Sequence, residues 1–480
     1  MTNGKTFDLL RHRRFLPLFI AQFLGAANDN LFKNAMAILI IYRIGDVVFA
    51  KANVLTNIGT GLFMLPFFLF SATAGELADR YEKSGLMKRV KFAEILVVSL
   101  GGLGLYTANV PILLVALFLL GAQATFFGPL KYAVLPEYLE PGELIGGNGL
   151  IEGGTFLAIL IGTIVAGLLI LTGHGIAAVT ALMLALAISG FVAALCLPAA
   201  HGGDKTVRVR ANLLAGTMDV LRTINRRREV FLSVLGISWF WAMGATFLTQ
   251  FPAYAKEALG ANEHVVTLML GMFSIGIGAG SVLCARLLKG DISARHVPFA
   301  ALGMAGFSLD LYFASRNLHP AGELVGLMGF IVQPHAWRIL FDLAMIAGFG
   351  GIYTVPLYAI VQSRTEESER ARAVAANNIA NALFMVLAAA ATAILIGTGL
   401  TTVHLFLIFA ILNAVAAFYI RGLLPALDQI FDRSGAVPRP SPLRLLREVW
   451  SFVSYHPGPA STADLPNGQG HVVLVVPAFS

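Results

Sequence analysis

Twelve apolar runs, from 15–43 near the start to 401–423, leave this chain of 480 residues few ways to fold. Each is about long enough to cross ~30 Å of hydrocarbon as a helix. Within lipid a backbone must satisfy its own hydrogen bonds, which leaves helices or closed barrels, and barrel strands read as alternating segments of roughly ten residues. The composition, 57% hydrophobic and 13% charged, points the same way, since soluble chains carry roughly a quarter charged residues. The expectation is an all-α membrane protein with twelve transmembrane helices. The first run is too long for a signal-peptide core and no small-residue cleavage site follows it, so it is expected to remain as the first helix.

A net charge of +7 would suit a nucleic-acid binder, but the basic residues are arranged for a membrane and no nucleic-acid partner is implied. Of 34 Lys and Arg, only Arg43, Lys51, Lys256, Arg316 and Arg338 fall on the side opposite the N-terminus, while Lys33 lies inside a run. The positive-inside rule then puts both termini in the cytoplasm. A bacterial-type inner membrane is the expected location. Cys196 and Cys284 sit within apolar runs as small hydrophobes, so neither a disulfide framework nor a metal or cofactor site is implied.

The first run also carries Asn28-Asp29-Asn30 and Lys33 near its middle, where polar groups are least tolerated. Ionisable side chains at bilayer depth are costly and usually face a water-filled path for substrate or ions. Asp29 and Lys33 are four apart, on one helical face with Gln22, so each can offset the other's charge. Small Gly25 and Ala26 leave room beside them. The alternative is a charge pair that only joins two helices.

The longest polar connector, 198–230, divides the runs six and six, which predicts two six-helix halves at 1–197 and 231–424 and a tail at 425–480. Within the connector Leu213, Leu214, Thr217, Leu221 and Ile224 recur at helical spacing, as in a helix lying on the inner leaflet. The halves echo each other. Pro129-Leu130 precedes Tyr132-Ala133-Val134, and Pro356-Leu357 precedes Tyr358-Ala359-Ile360; Asn148 with Glu152 is matched by Asn377 with Asn381. Pro129 to Pro356 is 227 residues and Asn148 to Asn377 is 229, a nearly constant period. Such a repeat resembles the major facilitator superfamily, whose sites lie near the midplane between two halves. Gly75-Glu76-Leu77-Ala78-Asp79-Arg80 resembles that superfamily's signature loop after helix two, although the basic pair Lys88-Arg89 comes later than usual. In a gating role Gly75 permits the close turn at the helix end, and Asp79 accepts hydrogen bonds from a neighbouring helix N-terminus to hold one gate shut, with Arg80 beside it.

Gln22-Phe23-Leu24-Gly25, Asn28-Asp29-Asn30, Gly128 to Tyr132, Gly147 to Glu152, Phe240-Trp241, Gly244 to Thr246 and Gly351 to Pro356 carry a narrower likeness. From about Arg14 to Leu424 the chain resembles the bacterial lysophospholipid transporters, in the version fused elsewhere to an acyltransferase and an acyl-carrier-protein synthetase. The resemblance implies inward flipping of lysophosphatidylethanolamine, and of lysophosphatidylglycerol, for re-acylation by a separate enzyme of that kind. A head group with phosphate and ammonium needs both signs of charge. Asp29 would receive the ammonium and Lys33 or Lys131 the phosphate, while Asn30, Asn148 and Glu152 orient the rest and Asn377 and Asn381 face them from the second half. Purely structural readings stay open: Glu152 as a packing carboxylate, the asparagines as amides joining helices, Lys131 as an interfacial anchor. Some members carry an arginine in helix seven near the place where Leu248 stands here, with Gln250 beyond it; if that arginine binds phosphate there, this chain must bind it differently.

The tail holds no complete catalytic set. No His is followed five residues later by Asp, and Gly-x-Ser-x-Gly is absent, so an enzyme is not expected. Leu443, Leu446, Val449, Trp450 and Val453 form an apolar stripe suited to an interfacial helix over 442–454, and residues 471–477 look like the first strand of an α/β-hydrolase. The rival reading of the whole chain is an exporter of small amphipathic drugs or metabolites on the same fold.

Overall fold

A computed structural model of the chain describes residues 4–40, 52–207, 227–289, 291–318 and 324–428, with Val209, Thr217, Val220 and Arg222 in between. Contacts separate Met1–Leu427 from Asp428–Ser480; apart from its first residue the second unit lies outside the described residues. So do the tail stripe, the strand-like terminus and most of the expected connector helix.

Twelve long helices are described: α1 Leu16–Leu39, α2 Ala52–Arg80, α3 Lys83–Thr107, α4 Val110–Tyr138, α5 Leu144–Leu169, α6 Gly175–Leu195, α7 Arg228–Ala253, α8 Glu263–Leu288, α9 Val297–Ser315, α10 Ala336–Arg364, α11 Arg370–Gly397 and α12 Thr402–Asp428. Ten carry a stretch long and apolar enough to cross a membrane outright. α1 is not among them, since Asn28, Asp29, Asn30 and Lys33 lower its mean hydropathy. Large apolar side chains such as Leu96, Leu103, Ile275 and Val415 point outward and exposed, as lipid-facing helices require. The last helix runs four residues beyond the expected boundary at Leu424, and α7 starts at Arg228 rather than 231.

Side-chain caps start the helices where loops are short. Glu82 receives the amides of Ser84 and Gly85 at α3, Asn109 that of Ile112 at α4, and Asn262 that of His264 at α8. Packing repeats with a period of six helices. α1 lies on α5 as α7 lies on α11, α2 on α4 as α8 on α10, and α3 on α4 as α9 on α10. The halves meet through α2 with α11 and α5 with α8, flanked by α4 with α11 and α5 with α10. Glycines allow these approaches. A Cβ at Gly75 would lie 2.7 Å from Ala375 Cβ on α11, and one at Gly162 would lie 2.4 Å from the carbonyl oxygen of Ala27 on α1.

Candidate functional site

Where the halves face each other, a cavity of about 330 Å³ is walled by α1, α2, α4, α5, α7, α10 and α11. Asp29, Asn30 and Lys33 reach it from α1 and Lys131 from α4, while Asn378 and Asn381 reach it from α11. Phe63, Met64, Phe67, Ile159, Leu248 and Met385 line it as well, so the cavity combines charged and apolar groups.

The charges are held apart from one another. Among the described residues no ion pair joins Asp29 to Lys33; Lys33 Nζ lies 4.5 Å above the ring of Phe63, and Lys131 Nζ lies 4.7 Å above that of Tyr132. Asp29 Oδ1 is buried without a hydrogen-bond partner. An acceptor and two ammonium groups line one cavity, none of them in a salt bridge among the described residues, and such a set can bind a ligand carrying both signs. Asn30 donates from Nδ2 to the carbonyl of Ala26 in its own helix at 2.8 Å, and Asn381 Oδ1 accepts from Ser238 Oγ at 2.8 Å.

Three of the expected substrate residues stand behind the cavity wall. Asn148, Glu152 and Asn377 are buried toward one end of the bundle, where α5 and α11 close against the opposite half. Asn148 exchanges two hydrogen bonds with the amide of Gln362, at 2.7 and 3.0 Å across the halves. Glu152 accepts from the hydroxyl of Tyr132, whose ring stacks on that of Tyr358 at 4.6 Å and 7°. Tyr358 in turn accepts from Trp241 Nε1 at 2.9 Å. Sequence reasoning did not select Tyr132, Tyr358, Trp241 or Gln362. The repeat carried the signal: the two tyrosines occupy matching places in the two halves, and matching residues near a pseudo-twofold axis are brought together.

Beyond the amide pair the same end is sealed by Asp79. Its carboxylate accepts the backbone amides of Ala371 (3.0 Å) and Arg372 (3.2 Å) at the start of α11, and Arg372 Nε at 2.9 Å. Gly75, one turn earlier, provides the close contact with α11 that brings them into range. Among the described residues Arg80 makes no hydrogen bond to the other half. It donates to the carbonyl of Val207 at 3.3 Å and lies over Tyr81.

A further charged cluster lies behind α1. Lys91 and Glu94, one turn apart on α3, form a fully buried ion pair. Glu94 also accepts from Gln123 Nε2 at 2.9 Å and from Asn28 Nδ2 at 3.4 Å. The room expected beside Gly25 is taken by the Lys91 ammonium, 2.9 Å from where a Cβ would sit. Lys91, counted from sequence among the basic residues of the cytoplasmic flank, therefore belongs to the interior. Gly25 was legible in sequence as leaving room, but not that a lysine from α3 would fill it.

The family model described as Major Facilitator Superfamily matches residues 18–322. The lysophospholipid transporter LplT of Klebsiella pneumoniae (strain 342) is 27% identical over 415 residues, covering 85% of this chain and 95% of that protein. LplT of Salmonella newport (strain SL254) is 28% identical over 390 residues, covering 80% and 88%. In fold the chain is similar to the fucose:proton symporter FucP of E. coli, with a TM-score of 0.61 at 14% identity over 85% of this chain and 97% of that one. It is also similar to the human organic anion transporter MFSD10, with a TM-score of 0.65 at 13% identity over 84% and 99%.

Proposed function

The chain belongs to the Major Facilitator Superfamily, and on that premise we propose that it carries lysophospholipids such as lysophosphatidylethanolamine across the bacterial inner membrane by alternating access. The observation that carries this reading is one cavity lined both by Asp29, Lys33 and Lys131 and by Phe63, Phe67 and Met385. A head group of both signs and a single acyl chain have complementary needs. Asp29 takes the ammonium, Lys33 and Lys131 take the phosphate, and the apolar wall receives the start of the chain. Lysine ammonium groups on α1 and α4 replace the arginine that some members place in helix seven. The names of the K. pneumoniae and Salmonella relatives support the substrate class.

The sealed end is assigned to the cytoplasm, because basic residues concentrate on that side of the chain. The described state then faces outward. When the Asp79 contacts and the Asn148–Gln362 pair part, Asn148, Glu152 and Asn377 come to line the inward path, which gives them a substrate role in the second half of the cycle. Both termini are cytoplasmic in this assignment, with functional units at 1–197 and 231–424 joined by a linker. The delivered lysolipid is re-acylated by a separate acyltransferase. Reconstituted proteoliposomes decide the substrate: fluorescent lysophosphatidylethanolamine is taken up and the diacyl lipid is not. Uptake of cationic dyes in place of lysolipid would mark the chain as a drug exporter instead.

A further inference from the structure

A second cavity, of about 400 Å³, opens at the end of the bundle opposite Asp79. It lies between the π-helical turn Tyr254–Ala258 that follows α7, the end of α9 and the start of α12, and shares no residue with the central cavity. Its size is within the roughly 300–1,000 Å³ range of small-molecule sites. Its floor is polar and ordered: the hydroxyls of Tyr254 and Ser315, both buried, are hydrogen-bonded at 2.6 Å, and Thr402 is buried beside them.

The rim carries opposite charges. Arg316 comes from the end of α9 and Glu257 from the π-helical turn, and among the described residues neither has an ion-pair or hydrogen-bond partner; Arg316 only lies over the ring of Phe313, at 4.7 Å. His404 adds a donor. Its Nδ1 accepts the backbone amide of Thr401 at 3.2 Å, which leaves the ring proton on Nε2. A guanidinium and a carboxylate that face one polar cavity without meeting each other leave a gap for a ligand of both signs. Arg316 is moreover one of only five Lys and Arg that the sequence places on this face.

We propose that this cavity binds a zwitterionic phosphodiester head group, with phosphate on Arg316 and His404 and ammonium on Glu257, as a docking station ahead of the central cavity. This rests on the transport reading above in naming a lysolipid as the natural ligand. Isothermal titration of the full chain in uncharged detergent, with lysophosphatidylethanolamine and separately with soluble glycerophosphoethanolamine, tests it. Asp29→Asn, which disables the central cavity, should retain a saturable lysolipid site, and adding Arg316→Gln or Glu257→Gln should weaken it about tenfold, as loss of a charge-assisted contact does. With Asp29 intact, the same two substitutions should raise KM for uptake and leave kcat unchanged, a split that general destabilisation does not produce. Binding of the lysolipid alone identifies a lipid site, and equal binding of the soluble compound identifies a site for the free head group. Affinities and KM untouched by both substitutions would overturn the proposal. Should the wild-type chain neither bind nor carry lysolipid, the transport reading falls. Glycerophosphoethanolamine then decides the docking site alone: Arg316-dependent binding keeps it, and no binding removes it.

Discussion

At the scale of single residues, the central question is what Asp29 does with a carboxylate that has a buried, unpartnered oxygen on the cavity wall. Asp29→Asn preserves shape and removes charge. Lysolipid uptake in proteoliposomes should fall at least about tenfold, the scale of a lost charge-assisted contact, with normal insertion. Unchanged rate and affinity would make Asp29 structural. Lys91 and Glu94 pose the opposite case, because they have each other and no access to solvent. Glu94→Gln leaves an ammonium without a counter-ion in the interior, and breaking a buried pair this way costs about 3–5 kcal/mol. A marked drop in thermal stability is expected, largely reversed in the double variant Lys91→Met/Glu94→Gln. A double variant no more stable than Glu94→Gln would show that hydrogen bonding to Asn28 and Gln123, rather than charge balance, is what the pair contributes.

At the scale of elements, the turn between α2 and α3 organises the sealed end. Partial burial works against charge on Glu82, but donation from Ser84 Oγ and from the amides of Ala200, Gly85 and Ser84 outweighs it and holds the carboxyl below its usual range. A depressed folded-state value means that the stabilisation is complete above the ordinary glutamate pKa of about 4.3 and is lost as pH falls through the lower folded value. The melting temperature of the wild-type chain should therefore exceed that of Glu82→Gln near neutrality, and the two curves should converge in acid. A constant offset at every pH would mean that ionisation of Glu82 is irrelevant. One turn before the end of α2, Gly75→Val would place methyl groups against α11 where a single Cβ already approaches to 2.7 Å. The expected result is a folded protein whose Asp79 no longer reaches both amides, seen as faster labelling of a cysteine placed at the sealed end.

At the scale of the whole molecule, three layers hold one end shut: the stacked Tyr132 and Tyr358, the Asn148–Gln362 pair, and Asp79 on α11. Asp79→Asn loses the charge that three donors share. Hydrogen bonds to charged groups are worth roughly 1.5–3 kcal/mol, enough to move a two-state equilibrium about tenfold or more toward opening at this end. Cysteine accessibility from the cytoplasmic side should rise, and an unchanged labelling rate would remove Asp79 from the gate. Truncation after Asp428, where α12 ends, should leave lysolipid uptake in purified liposomes intact. Loss of uptake would assign the tail to the transport mechanism.

Length and polarity of the apolar runs determined the class of fold, because hydrocarbon admits few backbone solutions, and the offset between Pro129 and Pro356 already implied two related halves. Asp29, Asn30 and Lys33 were legible as site candidates for the same reason: polar groups at mid-span are too costly to be incidental. Only the tertiary structure decided which polar groups meet. Asn148 found Gln362 at a separation of 214 residues, and Lys91, eight residues past the start of α3, passed for a flank residue until Gly25 and Gly190 were seen to make space for it. Neither relation has a local signature, since each depends on how helices distant in sequence pack, and the side chains concerned are ordinary on their own helices.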